Sequence, residues 1–238
     1  MMWVPIVGLS ISVVLTVVYL ILCSKENPML KLSARFIATM SYIVLALYFM
    51  TYFENSFNIG YMFIILGLIF ALVADIALEE KDRPQSGLFL MKASAGLCVV
   101  FKLAFIAAFM FIIADSLSFL SLIYIGILGI FLMVLILLGL KYVLKLNLHG
   151  QDLNVVIYYL VAGFMTVLYI WYSILIPALW PLVVFAVLIL INDILLININ
   201  FGKQKHKTLI HTTQRLAYYI SLVFLIYFIY FQFIGLIS

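Results

Sequence analysis

The sequence predicts an all-α, polytopic membrane protein of eight transmembrane helices. Three observations carry that expectation: an apolar composition, a series of apolar runs of spanning length, and basic residues gathered on alternate connections. With 68% hydrophobic and 9% charged residues and a mean hydropathy of +1.32, there is too little polar surface to cover a soluble domain. A membrane span needs roughly 20 predominantly apolar residues. Runs of that order recur at residues 3–23, 36–53, 59–78, 88–114, 119–140, 154–173, 178–198 and 216–237, within a single transmembrane domain covering 1–238.

The charge pattern predicts orientation. Lys25, Lys31 and Arg35 follow the first run, Lys81 and Arg83 the third, Lys141 and Lys145 the fifth, and Lys203, Lys205, Lys207 and Arg215 the seventh. The connections around Asn55, Ser116 and Pro177 hold neither Lys nor Arg. Because basic residues stay on the cytoplasmic side, the odd-numbered connections are expected in the cytoplasm and both termini outside, in a multi-pass protein of the cell membrane. The net charge of +4 belongs to these loops, and no nucleic-acid partner is expected.

Taken in order, the first run has Trp3 as an interfacial residue and Pro5 in its first turn. It lacks a basic start and a small-residue cleavage site, so it is expected to remain in the mature protein. The second carries Thr39, Ser41 and several Tyr, ordinary helix-contact residues in lipid. The third ends in Asp75, about one turn inside the apolar run, before the charged turn Glu79, Glu80, Lys81, Asp82 and Arg83. The fourth holds Lys92, near enough to the end to reach the headgroups, and Lys102, which lies mid-run where such snorkelling is difficult. The fifth has no polar handle and reads as lipid-facing. The sixth contributes Tyr158, Tyr159 and Met165, which ordinarily mean packing.

The seventh run repeats the third. FALVADIAL, ending at Leu78, compares with LILINDILL, ending at Leu196. Each Asp falls in the third helix of a four-helix half, consistent with a parallel 4+4 internal repeat. At about 1.5 Å per residue, Asp75 and Asp193 lie at similar depth, on the order of 22 to 24 Å from the outer ends of their runs, and are expected to face a shared cavity. A carboxylate or ammonium inside a membrane span is costly, and marks a functional site or a buried ion pair. Cys23 and Cys98 suggest neither a disulfide framework nor a zinc site, and His149, His206 and His211 fall in or next to cytoplasmic loops, so no metal or other cofactor is expected.

The order of these features resembles the YhhN-like lysoplasmalogenases, eight-helix membrane proteins that hydrolyse the vinyl ether bond of lysoplasmalogens. The resemblance lies in Asp75 in its Ala-Asp-x-x-Leu setting, Gly96 six residues before Lys102, Tyr158 seven before Met165, Asn192-Asp193-x-x-Leu, and the pair Tyr218 and Tyr219. Lys102 stands where that family has His, and Leu222 where it commonly has a polar residue. The resemblance implies a lysophospholipid substrate, Asp75 and Asp193 as catalytic groups, and Lys102, Asn192, Tyr158, Tyr218 and Lys92 as substrate-binding or electrostatic support.

The residues suit that chemistry. Vinyl ether hydrolysis protonates the outer alkene carbon, generates an oxocarbenium ion, adds water, and releases an aldehyde and a glycerophospho-alcohol as the hemiacetal collapses. Two carboxylates in a low-dielectric site supply one protonated and one ionised group. Asn in place of either Asp is expected to remove a buried charge without leaving a hole. Two other readings use the same residues: a small proton- or ion-coupled transporter, and a non-catalytic protein in which Asp75 forms a buried pair with Lys102 or Lys92.

Overall fold

A computed structural model describes residues 3–23, 27–52, 59–80, 87–144, 152–201 and 207–233. Among them are eight α-helices: α1 (Trp3–Leu22), α2 (Pro28–Tyr52), α3 (Ile59–Glu80), α4 (Gly87–Ile112), α5 (Phe119–Leu138), α6 (Asp152–Leu175), α7 (Trp180–Phe201) and α8 (Lys207–Phe233). Seven contain stretches long and apolar enough to cross a membrane, and α1 adds a shorter apolar stretch, Ile6–Leu22. The chain is an all-α polytopic membrane protein.

Two helices begin earlier than hydropathy predicts. In α2, the Asn27 side chain accepts from the backbone N–H groups of Met29 and Leu30 at 3.1 and 3.2 Å, and Pro28 supplies a first-turn residue that has no N–H to satisfy. That cap starts the helix well before residue 36, so Lys31 and Arg35 belong to α2 and not to a connection. Helix α8 likewise starts at Lys207 instead of near 216, and takes His211, Gln214 and Arg215 into the helix. Elsewhere the expected boundaries lie within about three residues of the observed ones, inside the usual uncertainty of helix ends, except that the expected end of the last helix at 237 lies outside the described residues. Ser118 caps α5 by accepting from Ser121 N–H at 3.1 Å. A π-turn at Gly139–Val143 follows α5, and a 3-10 turn at Pro177–Leu179 leads into α7.

The contacts divide the chain into two compact units, Met1–Ala114 with Ile226–Ser238, and Asp115–Leu225. In the first, α1 packs on α2, α2 on α3 and α3 on α4. The Thr16 hydroxyl on α1 accompanies the Tyr42 hydroxyl on α2 at 3.1 Å, while also bonding its own helix at the Ser12 carbonyl. Bonds of that second kind satisfy a hydroxyl inside lipid without any partner helix. The interior is aromatic: Phe49 of α2 meets Tyr230 of the terminal part of α8, and Phe101 and Phe105 of α4 pack edge to face.

In the second unit α5 packs on α6 and α6 on α7. A Cβ on Gly163 would stand 2.8 Å from the Gly129 carbonyl oxygen, so the α5 and α6 backbones approach as only glycine permits there. The outer faces of α5 are left uncovered. Only 11% of its most apolar window is buried, against 39% to 56% in the other spans, which agrees with the lipid-facing part expected for it.

Candidate functional site

Among the described residues, each unit buries one carboxylate from a membrane-spanning helix, and each carboxylate is held by a side chain from the preceding helix. In the first unit the carboxylate is Asp75 on α3. The Arg35 guanidinium, on α2, donates through Nη2 to its Oδ1 at 2.6 Å, and both side chains are more than nine-tenths buried. Thr39, one helical turn after Arg35 and hence on the same face of α2, directs its hydroxyl at Oδ2 from 3.5 Å. Arg35 was expected in the cytoplasmic connection, and one of the readings paired Asp75 with Lys102 or Lys92 of α4. The structure gives Asp75 an Arg from α2. The difference follows from the Asn27 cap, which starts α2 early enough to carry residue 35 into the packed interior.

Lys102 is fully buried on α4. Its ammonium donates to the Cys98 carbonyl one turn back at 3.3 Å and lies 5.0 Å from the centre of the Phe101 ring, two contacts suited to a cation in an apolar setting. Lys92 is on α4, but its side chain falls outside the described residues.

In the second unit the carboxylate is Asp193 on α7, 2% exposed. The Tyr158 hydroxyl of α6 donates to its Oδ1 at 2.6 Å, and the Asn192 amide reaches round from the neighbouring position on α7 to the same oxygen at 3.2 Å. Asn192 is itself held from α8, where Gln214 Nε2 donates to its Oδ1 at 2.6 Å. These bonds join three helices through Gln214, Asn192, Asp193 and Tyr158. All four side chains are buried, so water does not compete for the bonds. Asp193, Asn192 and Tyr158 are thus brought together.

Tyr218, one turn after Gln214 on α8, is buried and packs edge to face against Tyr219. Tyr159 packs in the same way against Tyr158, its ring wholly buried. Sequence reasoning missed Arg35 and Gln214. The available signal for each was its place just ahead of an apolar run, by one residue for Arg35 and two for Gln214, on the strip of helix that continues inward to Thr39 or to Tyr218.

Compared with protein-family models, curated proteins and solved structures, the chain matches none of them. What stands on geometry is a helical membrane protein with charged and polar groups buried within its spans, suited to catalysis or transport.

Proposed function

We propose that the chain is a membrane hydrolase of the lysoplasmalogenase kind, acting on the vinyl ether bond of a lysophospholipid and handling the proton at Asp193. The supporting observation is the setting of that carboxylate. Asp193 is buried in a spanning helix, and the donors that fix its Oδ1, a phenol and a carboxamide, are neutral. A carboxyl group whose orientation is fixed by neutral donors is suited to giving up and recovering a proton within a low-dielectric site. The reaction needs that step twice, first to protonate the alkene carbon and then to take a proton from the water that adds to the oxocarbenium ion. The order of motifs shared with the YhhN-like proteins supplies the substrate class.

Asp75 is the second carboxylate of this reading, held beside Arg35 as an anion whose contribution to the reaction is measured separately. Both termini lie outside and the odd-numbered connections inside; Lys31, Arg35, Lys207 and Arg215 lie in helices and no longer enter the loop count, and the remaining basic residues keep the same asymmetry.

Purified protein in liposomes, supplied with a lysoplasmalogen and with its saturated ether analogue, tests the activity. Aldehyde is released from the first only. Solute or proton flux without aldehyde release would replace the hydrolase by a transporter built on the same hydrogen-bonded chain. Cysteines introduced at Asn55 or Ser116 react with an impermeant reagent from outside and one at Gln204 does not; labelling of Gln204 in intact cells overturns the orientation.

A further inference from the structure

We infer that Gln214 is a positioning residue for Asp193, acting through the amide of Asn192. An asparagine amide carries an acceptor on one side and donors on the other, and it can turn over. In this chain Gln214 Nε2 donates to Asn192 Oδ1 at 2.6 Å, which leaves the Asn192 NH₂ to donate to Asp193 at 3.2 Å. The shorter bond sets the direction of the longer one. Were the amide to turn, its carbonyl would face the carboxylate and its NH₂ would face the Gln214 NH₂, two unfavourable contacts in place of two bonds.

Gln214 and Asn192 are only 6% and 8% exposed, so solvent does not make good the loss of either bond. With the Asn192 amide and the Tyr158 hydroxyl both on Oδ1, the carboxyl group has one oxygen fixed by two donors. Its plane is thereby held, and the other oxygen is the one oriented for proton exchange. Gln214 donates to Asn192, and Asn192 donates to Asp193, so its effect on the carboxyl group passes through one amide.

The inference rests on the hydrolase reading only for its kinetic consequence, and an infrared measurement separates the two. Full-length protein carrying ¹³C-labelled aspartate is placed in lipid vesicles, and the Asp193 carboxyl band is identified as the one lost in Asp193→Asn. In Gln214→Met that band shifts, kcat for aldehyde release falls roughly tenfold, the scale of one hydrogen bond, and KM is unchanged. Asn192→Ala shifts the band in the same direction, and the double substitution shifts it no further than Asn192→Ala alone. Gln214→Leu serves the same measurement should the Met variant fail to fold.

An unmoved band in a folded Gln214 variant overturns the inference, as does a double substitution whose shift is the sum of the singles. Wild-type protein that releases no aldehyde refutes the hydrolase and leaves the infrared result to decide the role of Gln214 by itself.

Discussion

Asp75 on α3 and Asp193 on α7 sit in similar short stretches of sequence, and their surroundings differ in kind. Asp75 has a guanidinium at 2.6 Å; Asp193 has a phenol at 2.6 Å and a carboxamide at 3.2 Å. An ion pair balances a buried charge but holds the two partners to one another, since removing either leaves the other buried and uncompensated. Neutral donors orient a carboxyl group without supplying a counter-charge. The first arrangement is suited to fastening α2 to α3, the second to a group that changes its protonation state. Similar sequence around an Asp does not imply a similar role, because the partner comes from a different helix and a distant part of the chain.

The largest effect expected from this contrast is on stability. Arg35→Met leaves Asp75 buried beside an apolar side chain, and Asp75→Asn leaves the Arg35 charge without its carboxylate. Each is expected to cost about 3–5 kcal/mol, the usual range for breaking a buried pair. Thermal unfolding in detergent measures it. This replaces the expectation that Asn at residue 75 would simply remove a charge, because that charge has a partner that stays behind. The double substitution recovers most of the loss, since it removes both charges together. Single variants as stable as wild type would abolish the distinction between the two carboxylates.

Next comes the rate. Asp193→Asn is expected to keep the fold, since the Tyr158 phenol and the Asn192 carboxamide that donate to Asp193 are neutral, and to lower aldehyde release at least roughly 10²-fold, the lower end for loss of a general acid or base. Measured beside Asp75→Asn, it separates a cost in activity from a cost in stability. Near-normal turnover in folded Asp193→Asn would take this carboxylate out of the mechanism.

Much of the fold was legible because lipid imposes a simple rule: each backbone polar group must be satisfied within its own segment, so an apolar run of sufficient length is a helix. The exposed character of α5 was legible for the same reason, since it carries no charged residue and its polar side chains, Ser121 and Tyr124, lie in its first two turns. The two early helix starts were not, and they are where the missing site residues lie. Arg35 and Gln214 lower the local hydropathy by the same polarity that lets them bond to Asp75 and to Asn192. A hydropathy window therefore ends where the polar network begins. The Asn27-Pro28 cap was present in the sequence as a start signal, and it outweighs the drop in hydropathy over the following turn. Asp75 and Asp193 were legible as isolated carboxylates in apolar runs, but an isolated carboxylate does not disclose its partner. That depends on which helix faces it.

A third prediction sharpens the contrast on the Asp193 side. Tyr158→Phe removes the 2.6 Å phenol bond while keeping the ring and its edge contact with Tyr159. It is expected to lower the rate roughly tenfold, in line with loss of one short hydrogen bond to a carboxyl group. Single-turnover measurement places the loss in the chemical step. A loss confined to substrate affinity would assign Tyr158 to binding, with Asn192 and Gln214 alone orienting the carboxyl group.

The smallest effect is expected from the second donor on the other carboxylate. Thr39 points its hydroxyl at Asp75 Oδ2 from 3.5 Å, long for an O–H···O bond, while Arg35 holds Oδ1 at 2.6 Å. If the ion pair is what fixes Asp75, Thr39→Val retains the shape of the side chain and removes a weak bond. The loss should then stay below about 1 kcal/mol, under the range for hydrogen bonds to charged groups. A double-substitution cycle with Arg35→Met supplies the check, since residues sharing one carboxylate couple when both bonds matter. A small, additive loss keeps Asp75 as an ion-paired anchor. A loss as large as that of Arg35→Met would mean that Asp75, like Asp193, depends on its neutral donor for its position, and the two carboxylates would then belong to one class.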